Sequence, residues 1–93
     1  MKNSFDDVFP DRFPYIDLHG ETSDSLPFLI NDYINDNYKL GNQVVVIIHG
    51  IGLGVLKKEV QNCLKSNKKV SSYHVNFYNA GCTMVYINKA KNI

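Results

Sequence analysis

The stretch VVVIIHGIGLGVLKKEV, residues 44–60, decides how the rest of the chain is read. Gln43 to Ile48 forms a nearly unbroken apolar run, the pattern of a strand buried on both faces, as in a parallel sheet. It ends in His49-Gly50, and Gly52 and Gly54 follow before Lys57 and Lys58. Glycine costs backbone entropy and is placed where a chain turns sharply or something comes close. After the glycines the period changes: Leu56, Val60, Cys63 and Leu64 line one face of a helix that stops near Ser66-Asn67. The segment is therefore strand, glycine loop, helix. A loop of this kind leaves backbone N–H groups pointing outward with the positive end of the helix dipole behind them, a cradle for a phosphate or another anion. Lys57 and Lys58 would add charge. Two nucleotide loops are excluded by spacing, because no Gly-Lys-Ser/Thr follows and Val55 stands where the third glycine of GxGxxG would be. A tight strand-to-helix turn without a ligand is the plainer alternative.

Upstream, Tyr15-Ile16-Asp17-Leu18-His19 alternates as a strand does, with Ile16 and Leu18 on one face and Asp17 and His19 on the other. Gly20 ends it, and Thr22 or Ser23 is placed to cap a helix. Leu26, Leu29, Ile30, Tyr33, Ile34 and Tyr38 recur at three- and four-residue steps, an amphipathic helix with Pro27 in its first turns and a stop at Leu40-Gly41-Asn42. Downstream, Val70 to Phe77 reads as a third strand, Asn79-Ala80-Gly81 as a turn, and Thr83 to Ile87 as a fourth strand, beyond which fraying is expected. The order βαβαββ implies right-handed crossovers and a largely parallel sheet, with a loop short enough for a hairpin only between the last two strands.

At 93 residues the chain is expected to be one domain. Residues 1–14 read as an arm ahead of a domain spanning 15–93: Phe5, Phe9 and Phe13 are spaced by four, but Pro10 and Pro14 interrupt a helix. Hydrophobic residues make up 44% and charged residues 20%, the balance of a globular protein rather than a disordered one. No apolar run reaches the roughly 20 residues needed to span a bilayer, and the acidic N-terminus lacks the apolar core of a signal peptide. A cytoplasmic location, no membrane partner and a monomer are the default expectations. Cys63 and Cys82 lie in no CxxC or Cys/His cluster, so free thiols are expected rather than a zinc site. Residues 1–54 carry a net charge of −5 and residues 55–93 a net charge of +6. That asymmetry hints at an anionic partner for the C-terminal half, or at a solvated lysine face.

In such a sheet Asp17 and His19 lie at the C-terminal end of the first strand and His49 at the end of the second. The turn Tyr78-Asn79-Ala80-Gly81 lies at the exit of the third. These separate stretches meet at one edge, where open α/β sheets place ligands. His74, inside the third strand, is expected on a sheet face instead.

IDLHGET (16–22), IIHGIGLGVLKKEV (47–60) and NAGCTMVYI (79–87) resemble the three motifs of the Smr, or small MutS-related, domain: Leu-Asp-Leu-His-Gly, His/Thr-Gly-x-Gly, and a glycine turn ending in Gly-Ala-Thr. The resemblance covers residues 15 to 87. It implies an α+β two-layer sandwich in which a four-stranded mixed sheet carries two helices, similar to the C-terminal domain of translation initiation factor three, with the last strand antiparallel and inserted beside the second. It also implies binding to DNA or RNA, since the family includes nicking endonucleases on DNA and endonucleases on RNA, associated with DNA repair and recombination and with RNA quality control. By position, Asp17 and His19 stand for the Asp-x-His of the first motif, His49, Gly50 and Gly52 for His-Gly-x-Gly, and Gly81 and Thr83 for the final Gly-x-Thr. Two departures bear on function. Ile51 occupies a place that is often basic, which removes a phosphate contact. Tyr78 and Asn79 stand where the third motif often has paired glycines, with Cys82 in place of Ala, which makes the turn bulkier.

Cleavage of a phosphodiester needs a nucleophile, relief of negative charge and a proton for the leaving oxygen. Asp17, His19 and His49 are the expected catalytic residues, with an imidazole as acid or base near neutrality. Gly50, Gly52, Gly54, Lys57, Lys58, Gly81 and Thr83 are the expected phosphate contacts. Asp17 could orient a histidine or hold a hydrated Mg²⁺; one carboxylate makes a thin metal site, so no metal or other cofactor is expected to be essential. Two other classes fit the sequence: a non-catalytic nucleic-acid-binding module with the same site, and a protein-interaction domain using the Phe-rich arm and the aromatics of the first long helix. No aromatic platform for base stacking is evident from the sequence.

Overall fold

The computed structural model describes residues 5–52 and 54–90. A one-turn helix α1 (Phe5–Val8) and a 3₁₀ turn (Pro10–Arg12) precede β1 (Tyr15–Asp17), α2 (Leu26–Leu40), β2 (Val44–Ile48), α3 (Val55–Ser66), β3 (Val70–Val75) and β4 (Cys82–Ile87). The strands form one sheet in the order β1-β2-β4-β3. Its polarity is mixed: β1 and β2 are parallel, whereas β4 runs antiparallel to both β2 and β3. Strand–helix alternation alone points to a largely parallel sheet. The hairpin corrects that, because β4 folds back into the gap between β2 and β3 and separates the two strands that would otherwise pair in parallel. β1, β2 and β3 still point the same way, so their C-terminal ends share one edge.

Both faces of the sheet are covered. On one, Leu26, Ile30 and Ile34 of α2 and Val60 and Leu64 of α3 pack on Leu18, Val45, Ile47, Val85 and Ile87. On the other, Val46, Cys82 and Met84 are buried with Phe13 packed against them. The continuous apolar run of β2 is thereby explained, since its alternate residues enter two different cores. The N-terminal residues supply the second cover through Asp7, whose carboxylate is fully buried. It accepts from the backbone N–H of Phe77 at 2.8 Å and is hydrogen-bonded to His74 Nε2 at 2.9 Å, while the Asp7 carbonyl accepts from Asn76 Nδ2 at 3.0 Å. His74 thus lies on a sheet face, as its place in the strand implied. The one-turn helix is additional to the two expected, and it ends before Pro10, which cannot donate to a preceding turn.

Helix α2 starts at Leu26, with Ser25 rather than Thr22 or Ser23 at its N-cap. Pro27 accounts for the shift. Proline is tolerated only in the first turn, so the helix cannot begin a full turn earlier. Ser25 instead closes a preceding turn, its N–H and hydroxyl both donating to Thr22 O. The stop falls where expected: Gly41, at φ 84°, donates back to Asn37 and Tyr38 carbonyls, a left-handed cap that glycine adopts without a Cβ penalty. The fraying expected beyond Ile87 falls partly on residues 91–93, outside the described residues; Asn88 remains bonded to Lys68 and Lys69 carbonyls. Both cysteines are free, Cys82 buried and Cys63 half-buried.

Candidate functional site

The shared edge is built around a hydrogen-bonded junction between two loops. The N–H groups of His49 and Gly50 both donate to Gly81 O at 2.9 Å, fastening the end of β2 to the β3–β4 turn. The turn is shaped by two asparagine side chains. Asn76 Oδ1 accepts from the N–H of Tyr78 and of Asn79, and Asn79 Oδ1 accepts from the N–H of Gly81. A Cβ on Gly81 would stand 3.1 Å from that Asn79 oxygen and 3.6 Å from the Gly50 backbone, so the close approach of the loops favours glycine there. Asn76 was not singled out by the sequence reading. The signal that could have found it is an asparagine just ahead of a turn, where its side chain can mimic a backbone acceptor.

His49 closes the same junction from within. It is 3% exposed. Its Nδ1 lies 2.9 Å from Gly50 O, a carbonyl that can only accept, so the proton sits on Nδ1 and Nε2 accepts from the Thr83 hydroxyl at 2.8 Å. Burial pushes its pKa down and the Lys57 ammonium lowers it further, against the opposing pull of the Gly50 carbonyl. The ring is therefore neutral near pH 7, with both nitrogens engaged.

His19 is in the opposite situation. Its side chain is 69% exposed and its Nδ1 is paired with Asp17 Oδ1, which also accepts the His19 backbone N–H at 3.1 Å. The His19 side chain and then its backbone N–H hold the Asp17 carboxyl below the usual carboxylate range. The pair presents Nε2 outward from a ring oriented by a carboxylate, the arrangement that makes an imidazole an effective proton acceptor and donor. A Cβ on Gly50 would meet the His19 Cβ at 3.5 Å, so the exposed pair and the buried junction are adjacent.

Beside them lies a shallow cradle of about 350 Å³, lined by Gly20, Glu21, His49, Gly50, Ile51, Gly52, Gly54 and Lys57 among others. Gly50, Gly52 and Gly54 all have positive φ, at 82°, 37° and 82°. Gly54 is the N-cap of α3 and makes no side-chain cap, and the first turn of that helix, Val55 to Lys57, lines the cradle. Of the expected phosphate contacts, Gly50, Gly52, Gly54 and Lys57 line the cradle. Lys58 is exposed and lies outside it, while Gly81 and Thr83 are buried behind it and act on its shape. Glu21, which the sequence reading passed over, adds a negative charge to its rim. Ile51, 72% exposed, puts an apolar side chain on the same rim.

On the opposite face of the sheet a second cleft, of about 400 Å³, is lined by Pro10, Asp11, Tyr15, Asp17, Val46, Ile48, Asn79 and Cys82. Asp17 is shared between this cleft and the His19 pair. Tyr15 of this cleft is exposed, as are Phe77 and Tyr78 in the β3–β4 connection. Among the described residues no three His, Cys, Asp or Glu side chains are grouped to hold a metal. The donor set at Asp17 is a single carboxylate with one oxygen already bonded to His19, which does not suit a resident Mg²⁺. No helix among the described residues is long and apolar enough to cross a membrane.

The family model for the Smr domain matches residues 16–88. Endonuclease MutS2 of Clostridium kluyveri is 37% identical over 76 residues, 82% of this chain and 10% of the relative, and that of Caldicellulosiruptor saccharolyticus is 39% identical over 66 residues, 71% and 8%. The chain thus spans about a tenth of the length of these curated relatives. Among solved structures, the Smr domain of Thermus thermophilus MutS2 superposes with a TM-score of 0.77 at 23% identity, covering 81% of this chain and 98% of that one. YdaL, a stand-alone small MutS-related protein from Escherichia coli, superposes with a TM-score of 0.76 at 19% identity, covering 81% and 64%. At these identities the two structures speak for the fold, including the mixed four-stranded sheet.

Proposed function

The chain belongs to the Smr domain family, and on that premise we propose that it binds DNA or RNA by the phosphate backbone and cuts it with the Asp17–His19 pair. The observation that carries this reading is an exposed imidazole, oriented by a carboxylate, at the rim of a glycine cradle that ends in an uncapped helix N-terminus. The backbone N–H groups and Lys57 hold a phosphate and its developing charge. His19 takes the proton of the attacking oxygen, a 2′-hydroxyl or a water. The P–O bond to the leaving oxygen then breaks, and that oxygen takes the proton that His19 accepted. Asp17 keeps the ring in register. His49 acts from behind, fixing the loop through Gly50 and Thr83. The name endonuclease carried by the MutS2 relatives supports the same direction.

The test is cleavage of labelled RNA and supercoiled DNA by the wild type and by His19→Ala, with Mg²⁺ and with a chelator. Cleavage that survives the chelator and falls by roughly 10²- to 10⁴-fold in His19→Ala, with binding retained, is the expected result. Intact substrates under all conditions would remove the catalytic half of the reading. A binding module without turnover is the second reading, favoured by Glu21 on the cradle and by Ile51 where a cation would strengthen it. It gives salt-dependent binding and no product.

A further inference from the structure

We propose that the cleft on the arm-facing side of the sheet receives an unpaired nucleobase stacked on Tyr15, while the phosphate of the same strand lies on the glycine cradle, so that single-stranded nucleic acid is the substrate class. The inference rests on the nucleic-acid reading above and narrows it. Three features of the molecule carry it.

The first is continuity. Asp17 lines the cleft and Gly20 lines the cradle, so the short run Asp17-Leu18-His19-Gly20 passes from one depression to the other with the exposed imidazole between them. Tyr15 sits two residues back along β1, roughly 7 Å from Asp17 at strand rise.

The second is the division of chemistry. The cleft is lined by half-buried Ile48 above the buried Val46 and Cys82, with one exposed aromatic ring and with Asp11, Asp17 and Asn79. Two carboxylates repel phosphate, but they accept hydrogen bonds from the amino and imino N–H groups of a base. The cradle offers the reverse, with backbone N–H groups and Lys57. A backbone with its bases would therefore align with phosphate on one side and base on the other.

The third is shape. Apolar pockets that enclose small ligands run from roughly 300 Å³ upward, and the cleft, at about 400 Å³, is near that lower end. That leaves room for a planar base. A base still paired in a duplex presents only its edge and cannot lay its face on Tyr15, which is 59% exposed.

The experiment is fluorescence anisotropy at low salt with the 93-residue chain and three labelled probes: a single strand of mixed sequence, the same strand in a duplex, and an abasic strand of equal length. The single strand should bind tightest. Tyr15→Ala should weaken it roughly 5- to 150-fold, the range for loss of one stacked base, leave the abasic strand unchanged, and be rescued by Tyr15→Phe. Because Tyr15 is exposed, circular dichroism of Tyr15→Ala should match the wild type. Equal affinity for all three probes, or equal loss on all three in Tyr15→Ala, would overturn this inference and leave backbone binding standing. Absence of binding to any probe would overturn both.

Discussion

Taking an imidazolium out of water is unfavourable, and that fact separates the two histidines at the strand ends. Burial lowers the His49 pKa from its ordinary 6.5, so the folded state holds the proton less well than the unfolded chain. The sign follows: stability contributed by neutral His49 is complete above about pH 6.5 and is lost as pH falls below it. Thermal unfolding followed between pH 7.5 and pH 5 should show a declining Tm, and His49→Gln should flatten that part of the curve. Asp17 titrates in a different window. Its carboxyl is held below 3.8 by His19, so any contribution of that pair persists until the pH drops through 3.8 and lower. At the same scale, Thr83→Val keeps the shape of the side chain but leaves His49 Nε2 without its donor. It should cost about 1–3 kcal/mol in denaturant unfolding, the penalty of an unsatisfied buried polar group. The roles of the two rings were not legible in the sequence. Both read as histidines at strand ends, and the hydroxyl that engages the buried one comes from Thr83, 34 residues later.

At the scale of elements, the strand–loop–helix unit from Val44 to Ser66 was legible almost to the residue, because period, β-branching and glycine all point the same way. The place of β4 was not legible from periodicity. Whether a hairpin strand adds at the edge or inserts depends on which neighbour offers a better apolar face, and the family motifs, not the pattern, anticipated the insertion. The cradle was foreseen as a site, whereas the cleft behind it was not, since it exists only where the N-terminal segment, β1 and the hairpin turn approach one another. The glycine loop makes two predictions. Gly50→Ala forces a side chain into the left-handed region, at about 1–2 kcal/mol, and sets its Cβ in ordinary contact with His19, so any relaxation of that strain moves the loop beside the imidazole. Its cleavage rate should fall more than its stability does. Ile51→Lys adds a cation beside the cradle. It should tighten nucleic-acid binding and steepen the dependence of log K on log salt by about 0.7–0.9, the slope carried by one additional phosphate contact.

At the scale of the whole molecule, the sheet has two apolar faces but the two long helices cover only one. The second cover is the N-terminal segment, anchored by Asp7 through His74, Asn76 and Phe77 and sealed by Phe13 over Val46, Cys82 and Met84. The arm is therefore expected to behave as part of the core. Replacing Asp7 by alanine strands the His74 ring and the Phe77 N–H inside that interface. Both groups lose their acceptor, so the loss should be about 1–3 kcal/mol, the penalty of unsatisfied buried polar groups. Cys82 reports the same contact chemically. Burial, and secondarily the Asp7 charge, push its thiol pKa up, so the native protein holds it protonated and shielded. Removal of residues 1–14 should expose it, and a thiol reagent should then label Cys82 under native conditions much faster than in the full chain. Cys63, half-buried between α3 and the helix-side core, should label at an unchanged rate and serve as the internal reference. Equal labelling of Cys82 with and without the arm would mean that the second face of the sheet is closed by something other than these residues.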